Sequence, residues 1–419
     1  MRLFESERSG KLYQKVLELA GIFYNAGGRA LLVGGAVRDA LLGRQVKDFD
    51  LEIHGLSSEQ LLACLNGVCE VDAVGMSFGV IKVKHLELDI SLPRRENKVG
   101  QGHRGFLVEV DPHLSYADAA ARRDYTVNAI MYDPLTEELL DPHGGVRDLE
   151  NKVLRHVSSH FAEDPLRVLR GMQFASRMGF DFAPETIELC SRISQNELAV
   201  ERIGSEWEKM LLQGKAISKG LAFLKSCRWS RFYPELDSLS DPAWEKLGAF
   251  LDSCALLRNG ERQKDMLFMT AALVTSMPAA AGKSFCRRLW NREELIGKAL
   301  QLAETFLEVS AAPGALWSAA QVRRIALRLD GTELLCRLLE GAGLLQSSKN
   351  IEEIAGKESV WAHAPVPLIT GKHGIGLGIA PGPELGTLVK RCFEAQLDGV
   401  FKDLEGGKIY LQSLIRSKN

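Results

Sequence analysis

Two aspartates two residues apart, Asp48 and Asp50 in KDFDLEI, are the side chains of this sequence best suited to chemistry. On a strand, both carboxylates leave the same face, roughly 6.6 Å apart along the backbone. A pair so placed can share two divalent cations about 4 Å apart, the arrangement that suits in-line phosphoryl or nucleotidyl transfer. A solvated edge strand that carries two acids has the same spacing. What precedes the pair favours the first reading. Residues 30–33 are an apolar run of strand length, Gly34-Gly35 follows, and VRDALLG has helix-forming character closed by Gly43. A strand, a glycine turn and a helix start leave free backbone N–H groups that favour an anion such as a triphosphate.

Several elements must hold this centre. Apolar Leu12, Val16, Leu17, Leu19, Ile22 and Phe23 recur at helical spacing, so a helix is predicted over 10–26, ended by Gly27-Gly28. A second helix is predicted in SSEQLLACLNG, capped by Ser57 or Ser58, then strands near 68–73, 78–84 and 86–92. Asp89 on the last of these is a candidate third acid, and an exposed strand aspartate is an equal account of it. Residues 93–116 break the pattern with glycines and basic Arg94, Arg95, Lys98, His103 and Arg104, which reads as a long loop, functional or simply solvated. RRDYTVN (122–128) offers donors for phosphate and paired donors and acceptors for a ribose, or an ordinary surface ion-pair cluster. In residues 161–180 Asp164 fits an N-cap, Pro165 the first helical position and Gly179 the stop, with Leu166, Val168, Leu169, Met172, Phe174 and Ala175 on the packed side. By these residues alone Asp164 is a cap and Arg167 an exposed first-turn residue.

Beyond about Gly214 the chain reads as helical, with SMPAAAGKS (276–284) as a connection. The glycine-rich stretch after residue 367 lacks a G-x-G-x-x-G behind a strand, so a dinucleotide site is not indicated. Apolar content of 46%, charge of 25% and a net charge of −2 are ordinary for a globular chain of 419 residues with two to four domains. There is no signal pattern and no apolar run of about 20 residues, which leads to the expectation of a cytoplasmic protein without membrane partners. The eight cysteines show no C-x-x-C pair and no zinc spacing, and read as reduced, mostly buried thiols.

GGAVRDALLGRQVKDFDLEIHG (34–55) resembles the signature of the class II nucleotidyltransferases of the polymerase β superfamily. That group comprises bacterial-type CCA-adding tRNA nucleotidyltransferases and bacterial poly(A) polymerases. RRDYTVNA is similar to its RRDFTxNA motif with Tyr125 for Phe, DPHGGVRDL (141–149) to the segment leading into the neck, EDPLR (163–167) to E-D-x-x-R, and ERIGSEWEKML to its last motif. The resemblance is strong over 29–212 and weaker after that. It implies an α+β fold: a polymerase-β-like nucleotidyltransferase palm head (1–157), then an all-helical neck (158–225), body (226–320) and tail (321–419), the tail holding tRNA. By resemblance, Asp48 and Asp50 hold two Mg2+ ions. Gly34, Gly35 and Arg38 cradle the triphosphate, with Asp39 orienting Arg38, and Arg123, Asp124, Asn128 and Arg170 contact the nucleotide. Asp164 and Arg167 act as an amino-acid template for the base, and Arg202 steadies the neck. Residues 93–116 occupy the place of the flexible loop linked to addition of the terminal A, and Arg155 that of a hinge.

The implied reaction is transfer of CMP and AMP from CTP and ATP to a tRNA 3′ end, releasing pyrophosphate. VGMSFGVIKV with the PRRE segment is more similar to CCA-adding enzymes than to poly(A) polymerases. Poly(A) synthesis, or A addition beside a CC-adding partner, remains the alternative, and a retired RNA-binding protein on the same fold is a third reading. In the tail, Lys372, Lys390, Arg391 and Lys402 are candidate phosphate contacts, and His373 departs from the usual acidic residue. Some relatives carry an HD phosphohydrolase domain. This chain has no His-Asp dipeptide and no histidine between His160 and His363, so that activity is not expected.

Overall fold

The computed structural model describes residues 3–4, 10–72, 80–98, 106–195 and 198–417. The chain divides into two compact units, Met1–Glu206 with Lys219–Phe232, and Trp207–Ser218 with Tyr233–Asn419.

The first unit is built on a seven-stranded sheet. Its strands are β1 (Arg29–Val33), β2 (Phe49–His54), β3 (Val71–Asp72), β4 (Val80–Val83), β5 (Leu88–Ser91), β8 (Met131–Tyr132) and β9 (Leu139–Leu140), in the order β3-β4-β5-β2-β1-β8-β9. Neighbours are antiparallel except β2 and β5, which run parallel with Asp50 beside Asp89. Strict alternation decides what each face carries. Phe49, Leu51 and Ile53 of β2 join Leu88 and Ile90 of β5 in one core, against Val16, Leu19 and Phe23 of α1 (Lys11–Asn25) and Leu61 and Leu65 of α3 (Ser58–Leu65). The intervening residues, Asp50, Glu52, His54 and Asp89, therefore fall on the opposite face. The interior strand β1 is buried on both faces, since Leu31 and Val33 meet Leu114, Ala119, Ala120 and Met131 in a second cluster. Between β1 and β2 lies α2 (Gly35–Leu41), and Ser57 caps α3 in a reciprocal box with Gln60.

The long loop expected over 93–116 is corrected. Its described parts form an antiparallel ribbon of β6 (Arg94–Lys98) and β7 (Phe106–Val110), followed by α4 (Tyr116–Ala121). RRENK shows no apolar alternation, because a two-stranded ribbon has no core face to satisfy; Arg95 instead pairs with Asp111 at 2.9 Å. His103, Arg104 and the whole of VGMSFG lie outside the described residues.

After α5 (Gly145–Glu150) and the short parallel pair β10 (Val153–Leu154) and β11 (Asp181–Phe182), the unit becomes helical. Its chief element is α6 (Leu166–Met178), whose six expected core residues are all buried and whose end is the left-handed Gly179. Tyr125, fully buried, is ringed edge-on by Phe161, Phe174 and Phe182 and donates its hydroxyl to the Arg167 carbonyl at 3.0 Å. A Cβ on Gly171 would sit 2.0 Å from that hydroxyl oxygen. Gly171→Ala is therefore expected to cost about 2–3 kcal/mol by overpacking, read as a lowered thermal midpoint.

The second unit is helical throughout its described residues. α11 (Asp241–Leu256), α12 (Arg262–Val274), α13 (Ala279–Leu289) and α14 (Glu293–Ser310) pack on one another, and the end folds as α19 (Pro383–Asp398) and α20 (Leu404–Arg416) around Leu388, Cys392, Phe401 and Leu411. The connection expected at 276–284 shrinks to its first residues. Pro278 precedes α13, and AAAGKS is helix from Ala279, because alanine is the strongest helix former and proline suits a helix start. His373 accepts from the Thr370 N–H at 3.0 Å at the start of α18 (Gly371–Ile375), taking the part an acid would play in a capping box. All eight cysteines are free, six of them buried. No described helix is long and apolar enough to cross a membrane.

Candidate active site

Asp48 sits immediately before β2 and Asp50 on it, both exposed between buried Val46, Phe49 and Leu51. Parallel pairing with β5 sets Asp89 beside Asp50. Asp50, Glu52, Asp89, Arg122, Arg123 and Arg167 line one cleft of about 350 Å³. Asp50 touches solvent in the cleft, yet the protein around it removes much of its hydration. That desolvation, opposed by Arg123 and reinforced by Asp48 and Asp89, raises its carboxyl above the ordinary value. Gly34 closes β1 with φ +72°, a left-handed conformation that favours glycine, and a Cβ there would lie 3.3 Å from Asp50 Oδ2 and 3.4 Å from Arg123 Nη1. The glycine thus keeps the space between an acid and a guanidinium open.

Behind the cleft is a buried polar chain. Arg38, 5% exposed, forks onto both oxygens of Asp39 at 2.9 Å and donates Nη1 to Asn128 Oδ1 at 2.6 Å. Asn128 Nδ2 donates to Asp124 Oδ1 at 2.9 Å, and Arg170 Nε to Asp124 Oδ2 at 2.7 Å. Both guanidinium groups lie over the Phe174 ring, at 5.5 and 5.2 Å. Burial pushes the Asp124 carboxyl up, but Arg170, Asn128 and the Tyr125 N–H together hold it below the ordinary carboxylate range.

At the start of α6 the Asp164 carboxylate divides its oxygens: Oδ1 accepts from Leu166 N–H at 3.1 Å and Oδ2 from Arg202 Nη2 at 2.9 Å. Arg202 stands on α8 (Val200–Gln213). Arg167 donates Nη1 to the His160 carbonyl at 2.7 Å and Nη2 to the Arg122 carbonyl at 2.6 Å. The structure thus brings Asp50, Asp89 and Arg123 to one cleft that Arg167 also lines, with Gly34 against Asp50 and Arg123 and with Asp48 just before β2, sets Arg38, Asp124, Asn128 and Arg170 in the buried chain, and ties Asp164 to Arg202. Arg155 pairs with Asp148 at 3.0 Å and with Glu185.

Glu52 was not singled out from the sequence. It is 7% exposed, two residues beyond Asp50 on the same strand face, and binds Arg123 Nη2 at 3.1 Å. The signal was available, since Asp48-x-Asp50-x-Glu52-x-His54 continues one alternation.

Comparison with known proteins bears on this cleft. Residues 30–155 match the poly A polymerase head domain. That segment carries every cleft residue named above except Arg167. Among curated proteins, the "Multifunctional CCA protein" of Xylella fastidiosa strain 9a5c is 40% identical over 222 residues, covering 50% of this chain and 51% of the relative. That of Mannheimia succiniciproducens is 37% identical over 243 residues, covering 55% and 57%. The chain thus spans about half the length of the curated relatives it matches. Among solved structures, the Bacillus stearothermophilus CCA-adding enzyme in complex with CTP superposes with a TM-score of 0.72 at 22% identity, covering 97% of this chain and 98% of that one. The Thermotoga maritima CCA-adding enzyme complexed with tRNA(CCA) gives 0.69 at 18%, covering 98% and 96%. The fold is that of a polymerase-β-like head followed by helical regions.

Proposed function

We propose that this chain is a cytoplasmic, template-independent nucleotidyltransferase that adds CMP, CMP and AMP from CTP and ATP to the 3′ end of tRNA and releases pyrophosphate. One observation carries the reading: Asp50 stands in register with Asp89, across the open Gly34 turn from Arg123, in a single cleft. The named relatives, CCA proteins by name and CCA-adding enzymes with CTP or tRNA by structure, support it. The chemistry needs Mg2+, and the donor set fits that ion. Asp48, Asp50 and Asp89 are oxygen donors, and Asp50, desolvated and facing the charges of the other two, is unfavourably ionised until a cation arrives. Among the described residues no group of three or more His, Cys, Asp or Glu side chains is placed to hold a metal ion. Mg2+ characteristically takes one or two carboxylates and completes its shell with water and substrate phosphates, so this is compatible. Asp48 and Asp50 would hold the metal, which when bound lowers the pKa of the attacking hydroxyl and offsets charge on the departing pyrophosphate.

The chain's own residues supply position and charge. The Gly34 turn leaves room for phosphate oxygens beside Arg123, a fixed cation directed at them. Arg38, Asn128, Asp124 and Arg170 form the rigid wall on which the nucleotide's sugar and phosphates rest. Asp164 accepts from, and Arg167 donates to, the Watson–Crick edge of the incoming base. Arg202 fixes the Asp164 carboxylate, so the accepting half of that template is set in advance. Basic Lys372, Lys390, Arg391 and Lys402 in the tail are the proposed tRNA phosphate contacts, and the division at 157, 225 and 320 into head, neck, body and tail is part of the same reading.

The test uses purified protein, Mg2+ and tRNA transcripts ending before CCA, after C, or after CC, each offered labelled CTP, ATP or both. Completion of CCA followed by a stop is the expected result. A long A tail would make the chain a poly(A) polymerase, and A addition to the CC-ended transcript alone would mark an enzyme that works beside a CC-adding partner.

A further inference from the structure

We infer that Glu52 is a positioning residue for this reaction, holding the Arg123 guanidinium over the Gly34 turn and off Asp50; the inference rests on the function proposed above. The Glu52 carboxylate is 7% exposed and each oxygen has one neighbour: Oε2 accepts from Arg123 Nη2 at 3.1 Å, and Oε1 lies 3.1 Å from His54 Nε2. His54 is itself fixed, its ring edge-on to Tyr116 at 4.8 Å, and the Tyr116 hydroxyl accepts from Arg29 Nη1 at 3.2 Å, while Arg29 Nε is bound to Asp133 at 2.8 Å. A continuous set of held groups therefore runs from the far end of β1 and β2 to the cleft.

Arg123 is the one member with a choice. Its Nε is buried with no hydrogen-bond partner, and its Nη1 faces the Gly34 turn, close to Asp50 Oδ2. A long cationic side chain beside a desolvated carboxylate falls onto it unless something else holds it. If Arg123 paired with Asp50 it would occupy an oxygen the metal needs and leave the triphosphate without its cation. Glu52 offers a closer anionic partner, two residues along the same strand face, that leaves Nη1 toward the phosphates. Arg123 would contact the substrate; Glu52 acts through it.

The test is a double-mutant cycle on the full chain with Glu52→Gln, Arg123→Ala and both, with thermal melts to establish folding. Glu52→Gln keeps the shape and removes the charge. It is expected to lower kcat/KM for CTP about 10-fold or more, to raise the Mg2+ concentration needed for half-maximal rate, and to leave KM for tRNA unchanged. In the Arg123→Ala background it should change kcat/KM less than about 2-fold, because its partner is gone. Equal losses in both backgrounds, or no loss in the wild-type background, would overturn the inference. If the wild-type chain incorporates no nucleotide, the proposed function fails separately, and the same cycle is read by equilibrium binding of CTP, where coupled losses support the positioning role and equal losses sink it. Should Glu52→Gln melt too low to assay, His54→Leu removes the Oε1 anchor. A smaller loss that again vanishes with Arg123→Ala supports the inference, and one that persists overturns it.

Discussion

Asp50→Ala is expected to give a folded protein that still binds tRNA and incorporates no nucleotide, a fall on the order of 1,000-fold or more. The direction follows from its surroundings. Asp50 is a partly desolvated carboxylate whose acidity is weakened by its burial and by the nearby charges of Asp48 and Asp89, against the pull of Arg123. In the metal-free protein that crowding opposes folding, so removing one carboxylate relieves it. The thermal midpoint of Asp50→Ala without metal should therefore equal or exceed that of the unsubstituted chain while activity disappears, the opposition expected where a site is built for function at a cost in stability. Single-nucleotide gels, tRNA filter binding and a thermal melt in EDTA check the three parts. Unchanged incorporation would remove Asp50 from the metal site.

The second large effect is on stability. Asp124→Ala would leave Arg170, Asn128 and the Tyr125 N–H without their common acceptor inside the protein. Breaking one side of a buried ion pair costs about 3–5 kcal/mol. Arg170 keeps 36% of its side chain exposed, which places the loss near the lower end. The folded Asp124 carboxyl lies below its unfolded value of about 4. Its contribution is thus complete above that value and is lost as pH falls through the folded pKa. Glu52 and Asp133 are depressed in the same direction and act in the same acid window. Urea midpoints should accordingly fall as pH drops below about 4. Asp124→Asn, which keeps the shape but cannot ionise, should start lower at neutral pH and fall less steeply.

What the sequence made legible was what depends on near neighbours. The alternation through 49–54, the glycine turn at Gly34 and the stop of α6 at Gly179 are each set within a few residues and stand where they were expected, whereas the N-cap of α6 falls on Pro165, one residue after the expected Asp164, whose carboxylate still accepts from the Leu166 N–H. The ribbon of β6 and β7 was missed because its first strand is wholly polar, and the start of α13 because proline beside small residues reads as a loop from one side and as a helix start from the other. The connections that hold the cleft have no local signature. Arg38 reaches Asn128 across 90 positions, Arg123 reaches Glu52 across 71, and Arg202 reaches Asp164 across 38. Such pairs exist only once the sheet and helices have packed, so composition and spacing point to the residues but not to their partners.

The place of β1 between β2 and β8 also bears on the order in which a ribosome delivers this protein. Leu32 and Val33 pair on one side with β2, made moments later, and on the other with Tyr132 and Met131, a hundred positions downstream. Tyr125 and Asp124 find Arg167 and Arg170 later in synthesis, after a shorter wait. At roughly 5–20 residues per second, this buried, largely apolar strand stands half-paired for on the order of ten seconds. Nascent chains halted between about residues 60 and 130 should therefore be the ones most prone to aggregate and to hold a chaperone, and release from both should come once α6 has cleared the exit tunnel.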